Sequence, residues 1–322
     1  MTRLGLQATL GIAALFGAAC ALAQEAPVPK LVRIVVPFSA GASNDAIARA
    51  LAPQLSKRLA TSFIVENRPG AASVIGNDAV AKSPADGSVL LLTSSTFLTV
   101  AATTPRLPYD PIASFTPVAT VVQNPSLLAV SGAAPFKTTA ELISAARAKP
   151  GEITYGTAGV GSITHLATEL LADAAKIRMT HIPYKGAANA AIDLAGGQIF
   201  VMISSSATLN PFVKSGKVRV LGVTSPNPHP AFPGIPPVAS TVPGFANQVW
   251  VGVLAPAGTT ARLVERYNRE ISEIAATPEL RNLFEPDGMV PVVMSPSAFA
   301  GRVKQELAQW KKIASSRKIV LE

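Results

Sequence analysis

Two copies of one local pattern, a short apolar strand followed by a small polar turn and a helix, constrain the fold of this chain most strongly. In the first copy, residues 32–36 are apolar and rich in β-branched side chains, which is typical of a buried strand. Residues 39–44 form a small polar turn, and Asp45 opens a helical pattern. The N–H groups at the start of such a helix are unpaired and favour an anion. In the alternative interpretation, Asn44 or Asp45 only caps the helix.

The second copy begins with a short strand predicted at residues 153–155 and continues through a turn rich in Gly and Ser at residues 156–162. A helix is predicted over residues 164–175. The turn does not match G-x-G-x-x-G, and the Lys-Ser/Thr pair of a P-loop does not follow it. It therefore indicates a small anion rather than a nucleotide.

Strands and helices alternate after the first copy. Strands are predicted at residues 62–66 and 88–93, with a helix over residues 71–82 between them. This alternation is typical of parallel strands joined by right-handed crossovers. Such sheets bind ligands outside the carboxyl ends of their strands, so we expect the turn 39–44 and residues 94–96 to lie at one ligand-binding edge.

The first 23 residues have the pattern of a secretory signal peptide. Arg3 supplies the positive charge, a mostly apolar stretch follows, and residues 21–23 match an A-x-A cleavage site. We therefore expect cleavage after Ala23 and export of the mature chain, with lipidation of Cys20 as the alternative. Cys20 is the only cysteine of the chain, so the mature protein would contain no disulfide and no reactive thiol.

Charge and histidine content argue against two other classes. The formal charge of +9 becomes +8 when Arg3 is removed with the signal peptide, and the basic residues are scattered. Such scattering does not indicate nucleic-acid binding, whereas a mild basic excess fits small anions. The three histidines, His165, His181 and His229, are widely spaced and lack cysteine partners, which argues against a metal site.

About 300 residues remain after the signal peptide, a length that suggests two domains. Apolar runs at residues 115–122 and 127–130 indicate the first crossing between them, and the run at 249–254 indicates the return. The predicted segments are the signal peptide 1–23, lobe 1 from 24–123 plus 249–322, and lobe 2 from 124–248.

Motifs along the whole mature chain resemble one known family. They are Pro37-Phe38 with Gly41 and Asp45; Glu66-Asn67-Arg68-Pro69-Gly70-Ala71; Asp86-Gly87; Leu107-Pro108-Tyr109-Asp110-Pro111; Gly159 through His165-Leu166; His181-Ile182-Pro183-Tyr184-Lys185-Gly186; Gly196-Gly197-Gln198; Gly216-Lys217-Val218-Arg219; and Val223-Thr224-Ser225. In this order they resemble the Bug family, the periplasmic substrate-binding receptors of tripartite tricarboxylate transport systems.

The resemblance implies an α/β, two-lobed periplasmic binding protein fold of type II (Venus flytrap) with two crossing hinge strands. It implies a monomeric receptor without enzymatic activity, cofactor or metal. Such a receptor captures a small organic carboxylate and delivers it to the permease subunits of a secondary transporter. The alternative is a sensing receptor that presents its closed form to a membrane signalling protein.

The resemblance, combined with the two turns, gives a set of candidate ligand-binding residues and no catalytic residue. They are Phe38, Ser39, Gly41, Asn44, Asp45, Ser94, Ser95, Gly159, Ser162, Thr164, His165, Tyr184, Ser204 and Ser205. The chain departs from the family at residues 41–43 and 71–74, which contain fewer glycines. Only hydroxyls occur at residues 204–206, which favours a carboxylate without an amine.

A hydrolase is the competing interpretation of one motif. Ser162 and His165 lie three residues apart, as a nucleophile and a base could. However, no G-x-S-x-G elbow surrounds Ser162, and residues at this spacing on a helix start rarely align a hydroxyl with an imidazole. The sequence therefore favours binding over catalysis.

Overall fold

The computed structural model describes residues 27–285 and 288–321. The predicted signal peptide and the alternative lipidation of Cys20 lie outside these residues. The strands are β1 Leu31–Val36, β2 Ser62–Asn67, β3 Val89–Ser94, β4 Phe115–Pro125, β5 Leu127–Ser131, β6 Thr154–Thr157, β7 Thr180–Pro183, β8 Val201–Ser204, β9 Val218–Val223, β10 Gln248–Pro256 and β11 Val290–Pro291. The α-helices are α1 Ser43–Leu59, α2 Val74–Ala81, α3 Thr96–Thr103, α4 Thr139–Ala148, α5 Ile163–Ala175, α6 Ala187–Ala195, α7 Ser206–Lys214, α8 Ala261–Ala275, α9 Pro278–Phe284 and α10 Pro296–Arg317.

The strands form two sheets with the same internal order, as expected for an α/β fold. The first sheet runs β11-β4-β10-β3-β1-β2, and the second runs β7-β6-β8-β5-β9. In each sheet a central strand, β1 or β6, pairs in parallel with the next two strands along the chain. An antiparallel strand, β10 or β5, follows in each order. The repeated sequence pattern therefore corresponds to a repeated sheet.

The chain crosses between the sheets at two adjacent points. Ser126 separates β4 from β5, and Thr224 follows β9 on the path back to β10. The Thr224 hydroxyl accepts the N–H of Ser126 at 2.7 Å and donates to the carbonyl of Asn247 at 2.6 Å. The main chain of Thr224 also bonds to Ser126 and Asn247. This buried threonine therefore ties the two crossings together.

Helix α10 connects the two sheets a third time, without a chain crossing. Its first half faces the first sheet, where the Trp250 indole donates to Glu306 at 2.8 Å. Its second half packs against α3 and α5. Leu98 of α3, Leu166 of α5 and Trp310 of α10 belong to one continuous apolar core that reaches both sheets. The predicted lobe boundaries stay a prediction, since α10, assigned to lobe 1, also contacts α5 of the predicted lobe 2.

The segment after β2 differs from the sequence prediction. A helix was expected from residue 71, but α2 begins at Val74 and follows a short 3-10 turn, Ala71–Ser73. Ala71, Ala72 and Ser73 have φ of 45°, 51° and 83°, in the left-handed region that costs an L-residue about 1–2 kcal/mol. Ser73 is fixed by the Asn77 amide, which donates to its hydroxyl at 3.1 Å.

We expect Ala72→Gly to raise the free energy of unfolding by about 1 kcal/mol, because Gly adopts a positive φ without a Cβ clash. Ala72 is exposed, so little packing is lost. Ala46→Gly is the matched control, since Ala46 is exposed within α1 and should lose about 1 kcal/mol. Urea unfolding measures both, and equal losses in the two variants would contradict the strain at Ala72.

Candidate functional site

The predicted ligand-binding residues lie at the carboxyl edges of the two sheets. At the first edge, Phe38, Ser39, Gly41, Asn44 and Asp45 follow β1, and Ser94 and Ser95 end or follow β3. At the second edge, Gly159, Ser162, Thr164 and His165 follow β6, Tyr184 follows β7, and Ser204 and Ser205 end or follow β8. The parallel pairing of the strands within each sheet produces this grouping.

Helix α1 opens at the first edge with free N–H groups. Its N-cap is Ala42, which provides no side-chain cap. Within the described residues, the N–H groups of Ser43, Asn44 and Asp45 have no hydrogen-bond partner. Asn44 is 9% exposed, and no partner for its side chain is found in the described chain. These groups can bind an anion.

Asp45 accepts hydrogen bonds from the turn after β1, from α1 and from β2 rather than acting as a helix cap. One carboxylate oxygen accepts the N–H of Gly41 at 2.8 Å and the Arg49 guanidinium at 2.9 Å. The other accepts the Asn67 amide at 2.9 Å. The Arg49 hydrogen bond, followed by the Gly41 N–H, lowers the pKa of Asp45 to about 2. Asp45 therefore shapes the turn after β1, and its negative charge is already compensated.

The Gly159 loop, residues 158–162, is held by a similar internal network. Ala158 N–H donates to the Thr164 hydroxyl at 2.9 Å, and the Ser162 hydroxyl donates to the Gly159 carbonyl at 2.7 Å. Across the described residues, the N–H groups of Val160, Ile163 and Thr164 remain without partners. The second edge therefore also presents backbone donors at the start of a helix.

His165 is buried at the carboxyl edge of the second sheet. It is 5% exposed, and its ring stacks on His181 with centroids 3.8 Å apart. Burial, with His181 as a further cause, lowers the pKa of His165 to about 4. His165 is therefore neutral at pH 7. Its Nδ1 accepts the Gly161 N–H at 3.2 Å, which directs the ring to the loop backbone rather than to the Ser162 hydroxyl.

The other predicted residues have mixed environments. Tyr184 donates its hydroxyl to Asp193 at 2.7 Å, and Ser205 caps α7 by accepting the Thr208 N–H. Ser94 and Ser204 are buried, and Phe38 packs on the first sheet's core. Ser95 is 2% exposed, and its hydroxyl finds no partner in the described structure.

Three features of this region were missed by the prediction of site residues. The left-handed turn Ala71–Ser73 follows β2, and therefore lies at the first edge beside α1. Arg49 and Asn67 hold Asp45 in place. Both residues had a usable signal in the sequence, since Asn67 belongs to the Asn-Arg-Pro-Gly motif and Arg49 lies four residues after Asp45 in a predicted helix, the spacing of an ion pair.

The arginines near the first edge have acidic partners, one of which is shared. Arg49 pairs with Asp45, whereas Arg33 and Arg68 both pair with Glu66. An anion at this edge would therefore meet backbone N–H groups and hydroxyls, together with one arginine charge that Glu66 does not compensate. In residues 27–285 and 288–321, no group of three or more His, Cys, Asp or Glu side chains is arranged to hold a metal ion. The helices of that part of the chain include none that is both long and apolar enough to cross a membrane.

We expect Asp45→Asn to lower the free energy of unfolding by about 2 kcal/mol at pH 7, because the new amide cannot accept every donor now on the carboxylate. The folded-state pKa of Asp45 lies below the ordinary 3.8, so its contribution is present above about pH 4. The difference between variant and wild type should shrink as the pH falls towards 2. Urea unfolding at several pH values measures it.

Glu152→Gln is the control for Asp45→Asn. Glu152 pairs with Lys149 at 2.9 Å, but both side chains are mostly exposed, so its loss should cost less than about 1 kcal/mol. A loss at Asp45 that matched this control, or that did not change with pH, would show that the buried network adds little stability.

Comparison with known proteins identifies the family. The family described as "tripartite tricarboxylate transporter family receptor" matches residues 47–319. Protein BugT of Bordetella pertussis is 34% identical over 96% of both chains. A protein of R. palustris solved with adipate is 33% identical, with a TM-score of 0.74 over 90% of this chain and 98% of that one. MatC from Rhodopseudomonas palustris, solved with bound malate, is 28% identical, with a TM-score of 0.70 over 88% and 98%.

These similarities confirm the expected two-lobed α/β fold of a periplasmic binding protein, and the family consists of solute-binding receptors rather than enzymes. The chain belongs to the tripartite tricarboxylate transporter receptor family, which includes the Bug proteins.

Proposed function

We propose that this protein is a periplasmic receptor that captures a small organic carboxylate between the two carboxyl edges and delivers it to the membrane permease of a tripartite transporter. The observation that carries the proposal is the pair of helix starts at these edges. Ser43–Asp45 of α1 and Ile163–Thr164 of α5 hold unpartnered N–H groups in the described structure. Two relatives solved with adipate and malate support a carboxylate as the ligand.

Backbone donors suit a carboxylate in this setting. Hydrogen bonds to an ionised acceptor are about twice as strong as neutral ones, and the positive end of a helix dipole adds to them. The Ser162 and Thr164 hydroxyls bond within the Gly159 loop, since Ser162 donates to the Gly159 carbonyl and accepts the His165 N–H, and Thr164 accepts the Ala158 N–H. The unpartnered backbone N–H groups are therefore the donors that this loop offers to a ligand. The ligand is held mainly by backbone donors, since Arg49 pairs with Asp45, and Arg68 shares Glu66 with Arg33.

The acidic side chains near the edges favour a ligand without an amine. A carboxylate is the strongest partner for an ammonium group, but Asp45 is compensated by Arg49, and Asp193 is already engaged by the Tyr184 hydroxyl. Ser204 and Ser205 contribute hydroxyls rather than charge. Di- and monocarboxylates are therefore preferred over acidic amino acids.

Capture requires closure of the two lobes. A ligand shifts an open–closed equilibrium only by its difference in affinity for the two states, so it must contact both edges. The crossings at Ser126 and Thr224 are the points where the chain bends as the lobes approach.

Cleavage of the signal peptide after Ala23 leaves Gln24 as the first residue of the exported chain, which mass spectrometry of periplasmic extracts can verify.

Thermal unfolding of the mature protein tests the proposed function. Adipate, malate, glutamate and glucose are added separately, and the midpoint is recorded. A ligand that binds only the folded state adds about 2.7 kcal/mol at a concentration 100 times its dissociation constant. We expect a rise with a carboxylate and none with glucose. A panel in which no carboxylate raises the midpoint, or in which the sugar does, contradicts the proposal.

We expect Ser43→Pro to weaken carboxylate binding about tenfold or more without lowering stability. Ser43 is the first residue of α1, where Pro is tolerated, and Ala42 has φ −70° and ψ 160°, which suits the residue before Pro. The change removes one N–H that the ligand would use. Isothermal titration with adipate, or with the carboxylate that gives the largest thermal shift, measures the effect.

Ala261→Pro is the matched control for Ser43→Pro. Ala261 is the exposed first residue of α8, which lies away from both edges. Unchanged affinity in both variants would exclude the start of α1 from the binding site.

A further inference from the structure

The last residues of the chain support the Gly159 loop directly. Leu321 donates its N–H to the Thr103 carbonyl at the end of α3, at 2.8 Å. Its side chain fills the space beside Gly161, where a Cβ would lie 2.8 Å from Leu321 and 3.1 Å from the Thr103 hydroxyl. Gly161 also has φ 72°. The backbone of the Gly159 loop therefore packs against the C-terminal segment and against α3.

A second set of contacts joins the same segment to the interior of the loop. Arg317, the last residue of α10, pairs with Glu169 of α5 at 3.0 Å. Glu169 in turn accepts the hydroxyl of Tyr155, which is fully buried. The Tyr155 ring stacks on His181, and His181 stacks on His165, which accepts the Gly161 N–H. Successive side-chain contacts therefore connect Arg317 to the backbone of the Gly159 loop at Gly161.

The other end of α10 is fixed to the crossing strands of the first sheet. Glu306 accepts the Trp250 indole of β10 and pairs with Arg302 at 2.7 Å. Arg302 donates to the Gln123 side chain of β4 at 3.0 Å. Helix α10 therefore contacts the first sheet through Arg302 and Glu306, and it contacts α5 of the second edge through its last residue, Arg317.

We propose that the segment Arg317–Leu321 is a positioning element that fixes the position of the Gly159 loop relative to the first sheet. Leu321 packs against Gly161. Arg317 pairs with Glu169, and Glu169 accepts the hydroxyl of Tyr155, whose ring stacks on His181. Removal of either contact loosens the loop while the two sheets stay folded. This inference rests on the proposed function only for the statement that the loop binds the ligand.

Hydrogen exchange of the ligand-free mature protein tests the positioning role without depending on any ligand. The Gly161 N–H is the direct reporter, because its acceptor is His165. We expect Leu321→Ala and Arg317→Gln each to raise exchange about tenfold at the hydrogen-bonded amides of residues 158–165, which are those of Ala158, Gly159, Gly161, Ser162 and His165, with core strands such as β8 unchanged. Dissociation constants for adipate are measured in parallel and should rise in both variants.

Two controls separate this effect from general weakening. Arg317 pairs with Glu169 and, at 3.9 Å, with Asp173, and Arg58→Gln likewise removes an arginine that pairs with two acids, Glu270 and Glu273 of α8. Leu283→Ala removes an exposed leucine from α9. Neither control should change exchange in residues 158–165. Unchanged exchange in both test variants, or a rise spread equally over the core strands, overturns the positioning role. Altered exchange in the two test variants, with no carboxylate of the thermal-unfolding panel binding to the wild type, supports the positioning role and counts against the proposed function alone.

Discussion

The structure depends on one geometric constraint, that a helix following a parallel strand begins at the carboxyl edge of its sheet. The first turn of such a helix leaves N–H groups without internal acceptors. Helix α1 starts this way after β1, and α5 after β6. Because both sheets repeat the same strand order, each contributes one edge of this kind. An anion is the ligand that such edges favour on physical grounds.

Polar side chains near these edges mainly bond to the loops that carry them. Asp45 accepts three donors from its own neighbourhood, and Thr164 and Ser162 bond within the Gly159 loop. His165 is buried and neutral, with its pKa lowered to about 4 by burial and by His181. Loops fixed in this way hold their free N–H groups in place before a ligand arrives, which reduces the entropy lost on binding.

The two sheets are joined by contacts of different kinds. Thr224 ties the covalent crossings through short buried hydrogen bonds. Helix α10 adds an apolar connection, since Trp310 and Leu166 share one core. The proposed closure of the lobes therefore has to preserve or rearrange both sets of contacts.

The sequence by itself determined the α/β class, most strand and helix positions, both strand–turn–helix units and the family resemblance, because these depend on local periodicity and short motifs. It also placed every candidate residue at a sheet edge, although which of them bind ligand stays a prediction. Helix α3, the left-handed turn Ala71–Ser73, the stack of His165 on His181 and the second half of α10 on α5 were not predicted. Only the tertiary structure decided them, because each depends on partners distant in the chain or on backbone angles that the residue types disfavour.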